Sequence, residues 1–213
     1  MVDGPGSAVK DVMDLQLAFG HIDIYLFDQL LRGRIQLGMR VLDAGCGGGR
    51  NLVYLLREGF DVFAVDEDPH AITYVREMAS ALAPTLDRER IRVDAVERMS
   101  FPDASFDVVV SNAVLHFARD DAHFEAMVRE MWRVLKPGGM LFARLVSNIG
   151  MTDRMEHVAG RHFVLPDGTT RYVVDEAQLM ALTDSLRGDL LDPLKTTVVQ
   201  RQSCMTTWVA RKR

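Results

Sequence analysis

The chain has only two cysteines in 213 residues, Cys46 and Cys204, and they lie too far apart to form a metal-ligand spacing. That scarcity excludes a disulfide-stapled scaffold and fits a reducing cytoplasm. No apolar run approaches the ~18 residues of a membrane span, and the opening MVDGPGSAVKDVMD lacks the apolar core of a signal peptide. Basic charge is not in excess. Lys plus Arg number 25 against 30 Asp plus Glu, a net charge of −5, which argues against a nucleic-acid binder that neutralises phosphates. The terminal ARKR reads as a solvated tail. Repeats, low-complexity runs and linkers are also missing, so one domain over 1–213 is expected. What is present, 48% hydrophobic and 26% charged residues, is the composition of a globular protein that works without membrane or nucleic acid.

From residue 39 to 146 short apolar runs alternate with helical periodicity, the pattern of a parallel sheet wrapped by helices. MRVLDA (39–44), FDVFAVD (60–66), IRVD (91–94), FDVVVSN (106–112) and MLFARLV (140–146) read as strands. Helices are expected over about 50–58, from Asp68-Pro69 to Pro84, and from about Phe124 to the stop at KPGG. Residues 147–175, with Gly150, Gly160, Pro166 and Gly168, read as an irregular insertion. Asp175 caps one more helix, and LKTTVVQ and CMTTWVA then form an antiparallel hairpin. Before the first strand, Val9, Val12, Met13, Ile22, Tyr25, Leu26 and Leu30 mark an amphipathic helical cap, bent at Gly20-His21. The expected organisation is thus a cap (1–38), a binding core (39–146), an insertion over the substrate site (147–175), and a last helix with a hairpin (176–213).

The sharpest local signal is VLDAGCGGGRN, a strand end opening into a helix. A dinucleotide fingerprint would need a third glycine where Arg50 stands, which disfavours a nicotinamide-dependent oxidoreductase. No Gly-Lys-Ser/Thr follows, so the loop is not a P-loop. Asp43 at the strand tip would repel a pyrophosphate but suits a ligand carrying an amino group and a sulfonium. Asp66 can accept from both hydroxyls of a ribose. Gly45 and Gly47 permit close backbone approach, with Cys46 the small residue between them. The ligand described is a nucleoside without phosphates.

These features, with FAVDEDP, VDAVERMSFPDASFDVVVSNAVLHF and LKPGGMLFAR, closely resemble the class I S-adenosylmethionine-dependent methyltransferases over residues 39–146. GRNLVYLLREGFDVFAVDEDPHAI is similar, more weakly, to the tellurite-resistance type of small-molecule methyltransferase. The resemblance implies an α/β fold of three layers, Rossmann-like, with a seven-stranded sheet in the order 3-2-1-4-5-7-6, strand 7 antiparallel. It implies S-adenosylmethionine as cofactor and S-adenosylhomocysteine as product. By the same resemblance Gly45 and Gly47 line the methionine part and Asp43 orients its ammonium, while Asp66 holds the ribose with Glu67 beside the adenine. Asp94 and the Ala95 amide would meet the adenine ring, and Asn112 the methionine moiety. Asp94 also reads as a solvated strand-end carboxylate, and Arg50 as either a methionine-carboxylate contact or a solvated side chain.

Methyl transfer from a sulfonium needs water excluded and the nucleophile held in line; a base is needed only for a protonated acceptor. His116, after the fourth strand, is the candidate base, or else a packing residue. His21 and Tyr25 on the cap, and Arg144, His157 and His162, are candidate acceptor contacts, with core packing or a solvated loop as the alternatives. The absence of an Asn/Asp-Pro-Pro-aromatic tetrapeptide after strand four, and of a Pro-Cys nucleophile, disfavours nucleic-acid base methylation. No metal is expected. The reading is a methyltransferase for a small-molecule acceptor, acting as a monomer or homodimer; a non-catalytic binding module working through protein partners is the alternative.

Overall fold

The computed structural model describes residues 14–213; the expected helical positions Val9, Val12 and Met13 lie outside the described residues. Two short helices come first, α1 (Leu15–Phe19) and α2 (Ile24–Leu31), broken at Gly20 and His21 as the pattern implied. Gly20 has φ +61°, and a Cβ there would stand 2.9 Å from Val53 Cβ. The next elements are β1 (Arg40–Ala44), α3 (Val53–Arg57), β2 (Asp61–Asp66), α4 (Pro69–Leu82), β3 (Ile91–Val93) and β4 (Phe106–Asn112). They are followed by α5 (Asp121–Val134) and β5 (Leu135–Val146). Strands β3, β2, β1, β4 and β5 pair in parallel in that spatial order.

Beyond β5 come β6 (Glu156–Ala159), β7 (His162–Val164), β8 (Thr170–Tyr172), α6 (Glu176–Ser185), β9 (Gly188–Leu190), β10 (Lys195–Val199) and β11 (Ser203–Lys212). Strand β11 runs antiparallel to β5, and both β10 and β9 pair with its far side. The expected order is therefore found, with its sixth position shared by two short strands in an eight-stranded sheet. The break between them has a cause. Leu191 N still donates to Val209 O (2.9 Å), but Asp192 turns out to Arg34, accepting at 2.6 and 3.1 Å, and Pro193 has no N–H to continue a ladder.

Side chains alternate across the sheet. Val109, Leu141 and Trp208 face the core under α5 and α6, whereas Val108, Val110, Phe142 and Val209 face the core under α2, α3 and α4. Both faces are covered, which is why these strands read as continuous apolar runs. Among the described residues no helix is long and apolar enough to cross a membrane.

Three expectations need correction. The helix expected over 50–58 begins only at Val53, because Gly45, Gly47 and Gly49 all have positive φ (+80°, +49° and +71°) and carry the chain through tight turns first. Strand five starts at Leu135. Phe106 pairs with Leu135 but Val108 with Met140, so KPGG bulges within the strand instead of preceding it. The insertion is not irregular: β6, β7 and β8 form a small antiparallel sheet. Strands of three or four residues, with a bulge between His157 and Ala159, are too short to show a period in sequence.

Gly49 carries a packing constraint. A Cβ there would meet Met78 Cε at 2.5 Å and Val75 Cγ2 at 3.1 Å on α4, at a φ that side chains resist. Gly49→Ala is expected to destabilise the fold by about 2 kcal/mol, from left-handed strain plus overpacking, read as a lower urea midpoint at unchanged slope.

Candidate functional site

A cleft of about 650 Å³ opens at the C-terminal ends of β1, β2 and β4, where the strand order reverses on either side of β1. That volume lies within the range of about 300–1,000 Å³ usual for small-ligand sites. The glycine loop is pinned over the end of β2: Gly45 N and Cys46 N both donate to Val65 O at 2.9 Å, and Gly47 N donates to Asp66 Oδ2 at 2.8 Å. Asp66 Oδ1 accepts from Asp68 N at 3.0 Å, which fixes the carboxylate while its remaining lone pairs stay available to the cleft.

The loop glycines serve different ends. A Cβ on Gly47 would meet nothing within 4 Å, so at this position the backbone borders open cleft at φ +49°. A Cβ on Gly45 would instead strike Val114 Cγ2 at 2.6 Å. Gly45 lines the cleft as expected, and its bareness is in addition a packing requirement. Opposite stands Ala113, a non-glycine residue at φ +63° whose N–H donates to Arg144 O (2.8 Å). Such strain, of about 1–2 kcal/mol, is held by the neighbouring strand tip.

Gly45, Cys46, Gly47, Arg50, Asp66, Glu67 and Asn112 are brought together on this cleft. Asn112 Nδ2 is buried there without a partner. Asp43 lies behind the lining, 2% exposed, with Oδ2 unpartnered. Burial first, and the Asp66 charge second, push its carboxyl up to about 7 against the opposing pull of Arg50. Burial and the same two carboxylates push the Cys46 thiol up as well, so it is no nucleophile.

The other candidates lie elsewhere. Asp94 Oδ2 accepts the Ser100 N–H (2.9 Å) and hydroxyl (2.6 Å), closing its own loop, and Ala95 O accepts Arg98 N (3.0 Å); Val96 and Glu97 line the cleft in their place. His116 is 7% exposed and off the lining, packed 4.6 Å from the Phe117 ring. Burial, reinforced by Arg171, lowers it to about 4. His21 is exposed and off the cleft. Tyr25 bonds Thr197 Oγ1 through its hydroxyl (2.5 Å), with Arg144 over its ring at 5.0 Å. His157 Nε2 meets Gly160 O within the small sheet, and His162 Nε2 meets Ala118 O in the turn after β4, each at 3.0 Å, so one ring is used inside the small sheet and the other docks it on the main domain.

Several cleft residues carried no signal of their own. Phe117, Arg119, His123 and Met127 reach it from the turn after β4 and from the first turns of α5. Asp23 was missed too, although an Asp after a Gly-His break marks a helix cap. It caps α2 through Tyr25 N (2.9 Å), donates its own N–H to Asn51 Oδ1 (3.0 Å), and accepts at Oδ2 from both Arg50 (3.3 Å) and Arg144 (3.0 Å).

Residues 42–143 match the family described as "Methyltransferase domain". The chain is 32% identical over 170 residues to a ubiquinone biosynthesis O-methyltransferase of Methylocella silvestris, covering 74% of this chain and 64% of that protein. It is 37% identical over 105 residues to a 2-methyl-6-phytyl-1,4-hydroquinone methyltransferase of a Synechocystis species, covering 49% of this chain and 31% of that protein. In both cases it spans less than two thirds of the relative's length. Among solved structures, the 1,6-didemethyltoxoflavin-N1-methyltransferase of Burkholderia thailandensis, bound to 1,6-didemethyltoxoflavin and S-adenosylhomocysteine, shares the fold. The TM-score is 0.63 at 21% identity, over 88% of this chain and 75% of that one. A Pyrococcus horikoshii protein matches at TM-score 0.68 and 21% identity, over 89% of each chain.

Two outcomes are expected. Between pH 3.8 and about 7 the unfolded Asp43 ionises while the folded one stays protonated, so this group lowers stability as pH rises through that window. Asp43→Asn removes the effect, and its unfolding midpoint should gain on wild type from pH 4 to 7 and then hold a constant lead. Asp23→Ala should cost on the order of 2 kcal/mol by urea unfolding, since it removes a cap and leaves two guanidiniums without their carboxylate; Asn at 23 should recover the capping part.

Proposed function

We propose that this chain is a class I S-adenosylmethionine-dependent methyltransferase that transfers a methyl group to a small-molecule acceptor by in-line displacement. The observation that carries the reading is the pairing of a glycine cradle with carboxylates, Asp66 bonded to Gly47 N and the buried, unpartnered Asp43 Oδ2 behind the loop. A neutral or anionic ligand gains nothing from Asp43, whereas a cationic one does. The names of the curated relatives, ubiquinone and hydroquinone methyltransferases, support a small-molecule acceptor.

The residues fit the cofactor. Asp66, already oriented by Gly47 N and Asp68 N, would take the ribose hydroxyls, with Glu67 beside the base. Gly47 lets the backbone approach, and the free Asn112 Nδ2 would donate to the methionine part. Arg50, held by Asp23, would face the methionine carboxylate. S-adenosylmethionine supplies a methyl group already activated on sulfur. The chain's own work is to exclude water and orient: Val96, Val114 and Met127 give the cleft its apolar lining. Two free, buried cysteines support a cytoplasmic setting, and a monomer or homodimer is the expected state.

Calorimetry of the full chain tests this. S-adenosylmethionine and S-adenosylhomocysteine should both bind, and Asp66→Ala should weaken them at least tenfold. A bound ammonium favours the Asp43 carboxylate, so affinity should rise with pH up to about 7 and level off above it, with proton release on binding at pH 6. No binding of either compound overturns the reading.

A further inference from the structure

The turn that follows β4 is anchored on both sides of one residue. Behind it, Ala113 N donates to Arg144 O (2.8 Å), and the left-handed φ of +63° at Ala113 turns the chain toward the glycine loop. Ahead of it, Phe117 N donates to Val114 O (2.9 Å) and Ala118 N to Leu115 O (3.2 Å), closing a 3-10 turn whose Leu115 is fully buried in the core. Between the two anchors stands Val114. Its Cβ carries two methyl groups, which restrict χ1 and keep the side chain from folding away.

That side chain meets the glycine loop. A Cβ on Gly45 would lie 2.6 and 2.7 Å from the two Cγ atoms of Val114 and 3.2 Å from its Cβ, so Val114 fills the volume that any other residue at 45 would claim. Gly45, Ala113 and Val114 all line the cleft, as does Asn112, whose Nδ2 is buried without a partner. The glycine loop is held from its own side, since Gly45 N and Cys46 N both donate to Val65 O at 2.9 Å. Neither wall can retreat without breaking these bonds, and the branched side chain of Val114 sets the gap between them. Two residues further along the loop the situation is the opposite: a Cβ on Gly47 would meet nothing within 4 Å. The cleft is tight at Val114 and roomy at Gly47.

We infer that Val114 is a specificity-determining residue, which gauges the third substituent on the sulfonium and limits it to methyl. This rests on the methyl-transfer reading above, in which Asp66 holds the nucleoside and Asn112, next to Ala113, meets the methionine part. Two of the three carbons on sulfur then belong to arms that other residues hold, and only the third is left to sense a fixed wall. One extra methylene in an apolar pocket is discriminated by roughly 10–200-fold. The role is steric. It needs no titratable group, in contrast to Asp43 and Asp66, which answer to charge and to hydroxyls.

The test is titration calorimetry on the full chain with three ligands that share both arms: S-adenosylhomocysteine, which lacks the third substituent, S-adenosylmethionine, and its S-ethyl analogue. Wild type should bind the ethyl analogue about tenfold more weakly than S-adenosylmethionine, and Val114→Ala should bring the two within about threefold while S-adenosylhomocysteine affinity stays within about twofold of wild type. Val114→Thr, which keeps the branch at Cβ, should retain the wild-type ratio. Val114→Ile removes no packing and carries the same test if the alanine variant unfolds: it should weaken S-adenosylmethionine about tenfold and spare S-adenosylhomocysteine. Gly45→Ala should weaken all three ligands, and adding Val114→Ala should recover part of the loss, because it vacates the space the new Cβ needs. A purely structural role for Val114 would weaken all three ligands alike. That result, an ethyl-to-methyl ratio unchanged by Val114→Ala, or a wild type that binds both sulfoniums equally overturns the inference and leaves the methyl-transfer reading standing. Failure of S-adenosylhomocysteine to bind wild type overturns both.

Discussion

One carboxylate joins the two halves of this molecule. Asp23, 3% exposed, places a single negative charge between two arginines that come from opposite sides: Arg50 from the glycine loop and Arg144 from the tip of β5. Its other oxygen and its backbone carbonyl start α2 by accepting from Tyr25 N and Phe27 N, while its N–H and Oδ2 fix the cap to Asn51, Arg50 and Arg144. Two cations against one anion leave positive charge over, and the Tyr25 ring lies under Arg144 at 5.0 Å, with Lys195 also 5.4 Å from its centroid. A buried ion pair of this kind is weak evidence for net stability but strong evidence for a fixed arrangement, because removing one partner strands the others.

The parts of the fold that were legible in sequence are those governed by local rules. Strands such as FDVVVSN are buried on both faces and β-branched, and the Asp68-Pro69 and Asp175 helix starts use caps whose side chains accept in the manner their position requires. That the strands run parallel followed from the βα rhythm, whereas their order came from the family resemblance alone. The small sheet of residues 156–172 was not legible, because its strands are shorter than any hydrophobic period. In the cleft, residues whose place depends on strand-end position could be named from sequence as lining residues: Asp66, Gly47 and Asn112. Roles that depend on a loop's internal bonding could not. Asp94 is consumed by Ser100, and His116 points into protein, since nothing in VLHF distinguishes the side of a 3-10 turn that meets solvent from the side that meets the core.

Charge placement shows the same division. Asp43 is held in a buried site that also feels the Asp66 charge, and both make its carboxyl costly to ionise. Natural sequences break local rules at functional positions, and Ala113, left-handed on the cleft lining, is such an exception; Ala104, Arg187, Gln200 and Arg201 share its backbone region away from the cleft.

The excursion between β5 and α6 leaves and rejoins the main sheet at one place. Ser147 and Val174 form an isolated parallel bridge, Asn148 N donates to Val174 O at 2.9 Å, and Val174 N donates to Val146 O at 3.3 Å. A segment whose two ends are already clasped together can change length and content without moving either neighbour. Evolution could therefore exchange the stretch between Asn148 and Val174 for another while the glycine cradle and its carboxylates stay as they are.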